Sequence, residues 1–169
     1  MTVSFLLNGM AFEYDEEKNI ANIRKHGISF EIAARVFLDY DRIEMYDDDN
    51  SLEEDRYDTI GDISAATRDY TVGHIGKSED ILFVVYTERE QKENTTVTRI
   101  ISARRATSFE RGCIMENIKT INEILTDEEI KQLEEAKKKP IVFDEDCPET
   151  TPERAIKFRR VNPSRRIPG

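Results

Sequence analysis

Arg99, Arg104, Arg105 and Arg111 fall within one short stretch against a single acid, Glu110, a local charge of +3 in a chain whose formal net charge is −10. Arginine stays protonated at any physiological pH, and its guanidinium can grip a phosphate through two N–H groups at once. A small basic face on an acidic protein suits an enzyme acting on one phosphate better than a broad nucleic-acid binder, whose phosphate contacts need cations over a wide surface. Lys25-His26 is a second chemical pair. A cation at a helix end gains from the dipole whatever its function, so capping explains either residue singly; His26 titrates near neutrality and could serve as acid or base. Arg56 on one strand and Glu88-Arg89 at the end of another are further candidates, for which a cross-strand salt bridge is the competing explanation. His74 reads as incidental, and the tyrosines as core.

These groups must be held by a modest framework. Of 169 residues, 38% are hydrophobic and 36% charged, which predicts one core of ordinary size under much solvated surface. Ser4-Phe5-Leu6-Leu7 is a short apolar patch with no basic residue ahead of it, unlike a signal peptide. No window approaches the roughly 18 apolar residues of a membrane span. A soluble cytoplasmic protein is the expectation. Cys113 and Cys147 match no ligand spacing and are expected as free thiols, and no cofactor or metal motif is present in the sequence.

Phe12-Glu13-Tyr14-Asp15 predicts a short strand, with Asp15 capping a helix that has Glu16 and Glu17 in its first turn, Arg24 and Lys25 in its last, and Gly27 as its stop. Ser29 caps a second helix, Phe30 to Leu38. From Arg42 the apolar period changes to two, giving strands at Ile43–Met45 and Arg56–Ile60. Ile81 to Tyr86 is continuously apolar and belongs at the sheet centre, forming an antiparallel hairpin with Val97–Ala103 across the polar turn Glu90–Thr95. Thr107 and Glu110 are spaced as a capping box. Gly61 to Gly76 reads as an extra hairpin or an inserted loop. In an unbulged strand Arg104 and Arg105 point to opposite faces, as do Arg99 and Arg104.

The chain divides at about Lys119, residues 1–119 carrying a net −9. In the tail, 120–169, Thr126-Asp127-Glu128-Glu129 opens a helix over 126–138 with Ile130, Leu133 and Ala136 on one face, ended by Lys137-Lys138-Lys139 and Pro140. An acidic hook over 140–153 follows, without Lys or Arg from Pro140 to Glu153: the apolar Ile141-Val142-Phe143, then Asp144-Glu145-Asp146. Thr151-Pro152 starts a short helix, and the basic, Pro-rich end from Arg159 has a disordered composition. Acids behind an apolar anchor suit strand addition or groove docking onto a basic site, with a plain solubilising loop as the competing reading.

Five motifs in order, Phe12-Glu13-Tyr14-Asp15, Lys25-His26-Gly27-Ile28-Ser29-Phe30, Glu54-Asp55-Arg56-Tyr57, Tyr86-Thr87-Glu88-Arg89 and Arg99-Ile100-Ile101-Ser102-Ala103-Arg104, resemble the BrnT-type toxins of bacterial type II toxin–antitoxin systems over residues 12–111. The tail from Leu125 to Arg160 is similar to the short antitoxins encoded beside such toxins. The resemblance implies an α+β, RelE-like fold: N-terminal helices packed on a four-stranded or slightly larger antiparallel sheet, a final helix, and here an extended or helical tail. It implies a metal-free ribonuclease that arrests translation by cutting mRNA, free or on the ribosome. It further implies inhibition by the antitoxin segment, in cis or exchanged between two chains of a homodimer. Gly61–Gly76 departs from the family pattern. The tail also has no ribbon-helix-helix like that of family antitoxins, so direct DNA binding is not expected. The other reading is a non-catalytic interaction module in which toxin and tail merely assemble.

Metal-free RNA cleavage needs a base for the 2′-hydroxyl, an acid for the leaving 5′-oxygen and cations on the phosphorane. On the resemblance, Lys25, His26, Arg56, Glu88, Arg89 and Arg104 are the catalytic candidates, Arg104 in Ser102-Ala103-Arg104 foremost, although spacing alone also fits a solvated strand-end charge. Ile141, Val142, Phe143, Asp144, Glu145 and Asp146 are the expected inhibitory contacts.

Overall fold

A computed structural model describes residues 1–63, 81–115 and 127–162. His74, the alternating segment Tyr70–Ile75 and the last seven residues lie outside them.

The chain opens with a hairpin, β1 (Thr2–Leu7) and β2 (Met10–Asp15), paired antiparallel from Thr2↔Asp15 to Leu7↔Met10. Its two-residue turn is Asn8-Gly9, both with positive φ (50° and 80°), the conformation that asparagine and glycine tolerate and that matches strand twist. Asp15 then caps α1 (Glu16–His26) by accepting a bond from the Lys18 N–H, and Gly27, at φ 74°, ends it in the left-handed region. The Ser29 hydroxyl caps the next segment as expected, but only Phe30–Ala33 (α2) is α-helical; Ala34–Leu38 tightens into a 3₁₀ turn. The strands β3 (Ile43–Tyr46), β4 (Arg56–Asp62), β5 (Ile81–Gln91) and β6 (Thr95–Arg105) follow. After β6 come α3 (Ser108–Met115), α4 (Asp127–Lys137), α5 (Pro152–Ala155) and β7 (Arg159–Arg160).

One seven-stranded sheet carries these elements in the order β1-β2-β6-β5-β4-β3-β7. It is larger than the expected sheet and mixed rather than antiparallel, because β2 runs parallel to β6 from Ala11↔Val97 to Glu13↔Arg99. The β5–β6 hairpin is antiparallel and β5 is central, as its apolar run predicts. The basic end is not wholly disordered: Arg159 and Arg160 add a strand to the β3 edge, anchored by Phe158 in the core and by Arg160 on Asp41 at 2.8 Å.

Alternation along β5 gives the sheet two covered faces. Leu82 and Val84 join Phe12, Phe30, Val36 and Ile100 under α2 and the 3₁₀ turn, where Leu133 and Ala136 of α4 are also buried. Phe83 and Val85 on the other face pack with Ile60, Ile114 of α3, Cys147 and Phe158. Both cores therefore include tail residues. The capping box forms: the Glu110 carboxylate accepts from the Thr107 N–H at 2.8 Å and the Thr107 hydroxyl from the Glu110 N–H at 3.2 Å.

Candidate functional site

The site begins with an irregularity in β6. Ser102 lies opposite Val85 and Ile100 opposite Tyr86, so Ile101 is an extra, unpaired residue. This β-bulge reverses the parity expected from spacing. Arg99 and Arg104 now lie opposite Thr87 and Phe83, four apart on β5, and so share one face. Beyond Arg99 the β2 partner ends, and α1 takes its place along the strand. The Asn22 amide accepts from the Ala103 N–H at 3.1 Å and donates to the Ala103 carbonyl at 2.8 Å, as a neighbouring strand would. It also donates to the Ile28 carbonyl at 2.8 Å. That bracket fixes α1 beside the bulge.

Lys18 and Lys25, seven residues apart, lie on the same face of α1 and line a cavity of about 60 Å³ with His26, Ser102, Asp144 and Asp146. The acidic hook enters there. Its shape comes from Asp144, whose Oδ1 accepts the N–H groups of Asp146 (3.0 Å) and Cys147 (2.9 Å) in an Asx turn. The second oxygen, Oδ2, receives the Lys25 ammonium at 2.8 Å. Asp146 reaches Arg56 at 3.3 Å and Lys18 at 3.7 Å. Burial works against the charge on Asp144, but the bonds from Lys25 and the Cys147 N–H outweigh it and hold the carboxyl below its ordinary range. Asp144 in turn raises Lys25. His26 is 4% exposed, its Nε2 has no hydrogen-bond partner among the described residues, and burial lowers its pKa, only partly opposed by Asp144.

Arg104 is wholly buried. It forms a fork with Glu110, 2.6 and 2.9 Å, and donates to the Pro148 carbonyl at 2.8 Å. Its guanidinium lies over the rings of Phe83 at 4.2 Å and Phe143 at 5.0 Å. Glu110 accepts a further bond from the Thr150 hydroxyl, so residues before and after position 119 share one buried network. Burial opposes the Glu110 charge, yet Arg104 and its other donors hold the carboxyl below its ordinary range. The solvated strand-end reading of Arg104 is thus incorrect for this fold.

The hook thereby touches Lys25, Arg56 and Arg104, with His26 beside them. Glu88 and Arg89 stand elsewhere on β5: Glu88 is exposed, and Arg89 pairs with Glu13 (3.5 Å) and Glu54 (3.2 Å). Of the apolar triplet, Ile141 is half-buried, Val142 and Phe143 are exposed, and none forms a strand; β7 supplies the strand addition instead. Spacing reasoning missed Lys18, although its heptad relation to Lys25 could have revealed it, and missed the tail's cations. Arg154 bonds Asp58 at 2.8 Å and lies near Asp47 and Asp49, and Lys157 lies near Asp48. Asp58 is fully buried, and desolvation with repulsion from Asp47 pushes it up to about 7 despite Arg154. Tail acids on body bases and tail bases on body acids make the two charge patterns reciprocal.

The sequence model of a family described as the ribonuclease toxin BrnT of type II toxin–antitoxin systems matches residues 14–110, more than half of the chain. Among solved structures, the Brucella abortus ribonuclease toxin BrnT is similar at 20% identity over 56% of this chain and 94% of that one, with a TM-score of 0.33. No curated protein matches.

Proposed function

The chain belongs to the BrnT family of type II ribonuclease toxins, and from that premise we propose that it is an RNA endonuclease joined to its own inhibitor. Residues 1–119 form the toxin, and 120–169 an antitoxin-like tail that keeps it closed. One observation carries this reading: Asp144 and Asp146 of the tail sit on the cluster of Lys18, Lys25 and Arg56, beside His26, where an RNA phosphate would have to bind.

With the hook withdrawn, the exposed groups match what cleavage without a metal requires. His26 accepts the 2′-hydroxyl proton. The 2′-oxygen attacks phosphorus, the P–O5′ bond breaks to leave a 2′,3′-cyclic phosphate, and the Lys25 ammonium protonates the departing 5′-oxygen. Arg56 and Lys18, on the neighbouring Asp146 position, add positive potential beside the reacting phosphate. Arg104 takes no part in these proton transfers. Its pairing with Glu110 holds the end of β6 and the start of α3, and this internal role is also what a non-catalytic assembly module would use.

The test is RNA cleavage by the full chain and by its Asp144→Asn/Asp146→Asn variant. Cleavage absent in the first, present in the second, and lost again on adding Lys25→Ala supports the reading. A folded, open variant that leaves both free and ribosome-bound RNA intact supports the assembly module instead.

A further inference from the structure

The inhibitory hook has the order of chemical groups found in a single nucleic-acid strand. Phe143 lays an aromatic ring on the guanidinium of Arg104, 5.0 Å from its centre, and Phe83 also lies against it at 4.2 Å. Asp144 follows, with its carboxylate on Lys25, and it lines one cavity with buried His26, whose Nε2 has no partner among the described residues. After one exposed residue, Asp146 sets a second carboxylate between Arg56 and Lys18. A single strand offers a comparable arrangement, with a base hung on the sugar next to a phosphate and a sugar between successive phosphates. Arginine planes and aromatic rings are the platforms on which unstacked bases lie, and the backbone of a single strand is followed by cations.

The geometry points to two phosphate subsites and one base platform, with the hook as their occupant in cis. The scissile phosphodiester takes the Asp144 position on Lys25 and His26. The neighbouring phosphodiester takes the Asp146 position on Lys18 and Arg56. A base takes the Phe143 position against Arg104. The substrate is single-stranded, since a paired base cannot lie on a guanidinium that is wholly buried against Phe83 and Phe143. The inference rests on the ribonuclease reading only for which phosphate is cut.

Binding of 2′-O-methyl oligouridines without terminal phosphates tests it, because such strands cannot be cleaved. A dinucleotide offers one phosphodiester and a trinucleotide two. The full-length Asp144→Asn/Asp146→Asn chain, whose asparagine at 144 can keep the Asx turn, should bind the trinucleotide about tenfold more tightly than the dinucleotide at low salt. Lys18→Ala in that background should erase the length preference, whereas Lys25→Ala should weaken both ligands. Phe143→Ala alone should raise the affinity of the full chain. In the unaltered chain, millimolar trinucleotide should accelerate labelling of buried Cys147 more than dinucleotide does, a readout that needs no open variant. Equal binding of the two lengths, or equal binding by unaltered and variant chains, overturns the subsites. Cleavage of ordinary RNA without length preference defeats this inference alone, while length-dependent binding without cleavage defeats the ribonuclease reading alone.

Discussion

Removing the two hook carboxylates by Asp144→Asn/Asp146→Asn should loosen the tail by an amount that can be worked out from its contacts. The affected ion pairs are Lys25–Asp144 at 2.8 Å, Arg56–Asp146 at 3.3 Å and Lys18–Asp146 at 3.7 Å. Each has at least one partner about half exposed, so each is worth about 0.2–1 kcal/mol, and two of them share one carboxylate. Together they contribute about 1–2 kcal/mol, or about 5- to 30-fold in the open population. The apolar anchors Leu133, Ala136, Cys147 and Phe158 are untouched, so the tail loosens without falling away. Cys147 reports the opening, since its thiol is fully buried and burial pushes its pKa up to about 12. In a Cys113→Ser background, the rate of thiol labelling follows the open population whenever reclosing outpaces labelling. The acceleration should shrink between 0.1 and 1 M salt as the screening length falls from about 10 to 3 Å. An unchanged rate, or the same acceleration from Glu145→Gln at the exposed position between the two acids, would refute the idea that these charges hold the hook.

Glu110→Gln leaves the Arg104 cation wholly buried without its counter-charge and should cost about 3–5 kcal/mol in urea unfolding; a loss below about 1 kcal/mol would contradict the proposed burial energetics. Gly27→Ala forces an L side chain into φ 74° and sets its Cβ 2.9 Å from Ala136 Cα, so it should destabilise by more than about 1 kcal/mol and speed amide exchange across Asp127–Lys137. Asp58 has a folded pKa of about 7 against an ordinary 3.8, so between those values the folded chain holds a proton that the unfolded chain releases. Its contribution to stability therefore grows as pH falls from about 7 towards 4, by at most about 1.4 kcal/mol per pH unit, and Asp58→Asn should flatten that part of the curve.

Local signals were legible wherever neighbouring residues decide the conformation. Asp15, Gly27, Ser29, Thr107 with Glu110, and Thr151 with Pro152 all cap or stop helices, because each acts on backbone groups within a few residues. Asn8-Gly9, after the alternating Val3, Phe5 and Leu7, is an equally local hairpin signal. The family motifs pointed to Lys25, Arg56 and Arg104, and the acidic run of the tail pointed to the hook.

What the chain could not disclose by itself depends on register and on distance. Composition and periodicity determine that there is a sheet, where its central strands lie and that an acidic segment follows a basic one, since these are properties of consecutive residues. Only the tertiary structure decides that Ile101 bulges out of β6 and turns Arg99 and Arg104 to one face, because a bulge is a mismatch between two strands. Only it brings Lys18 and Lys25 beside Arg56 and lays Asp144 and Asp146 upon them, or turns the basic end into a strand beside β3 while Arg154 and Lys157 meet the acidic run Asp47–Asp49. Charge pairs between residues some ninety to one hundred and twenty positions apart leave no periodic trace in a sequence. They exist because folding removes apolar tail residues from water and brings opposite charges to the same surface.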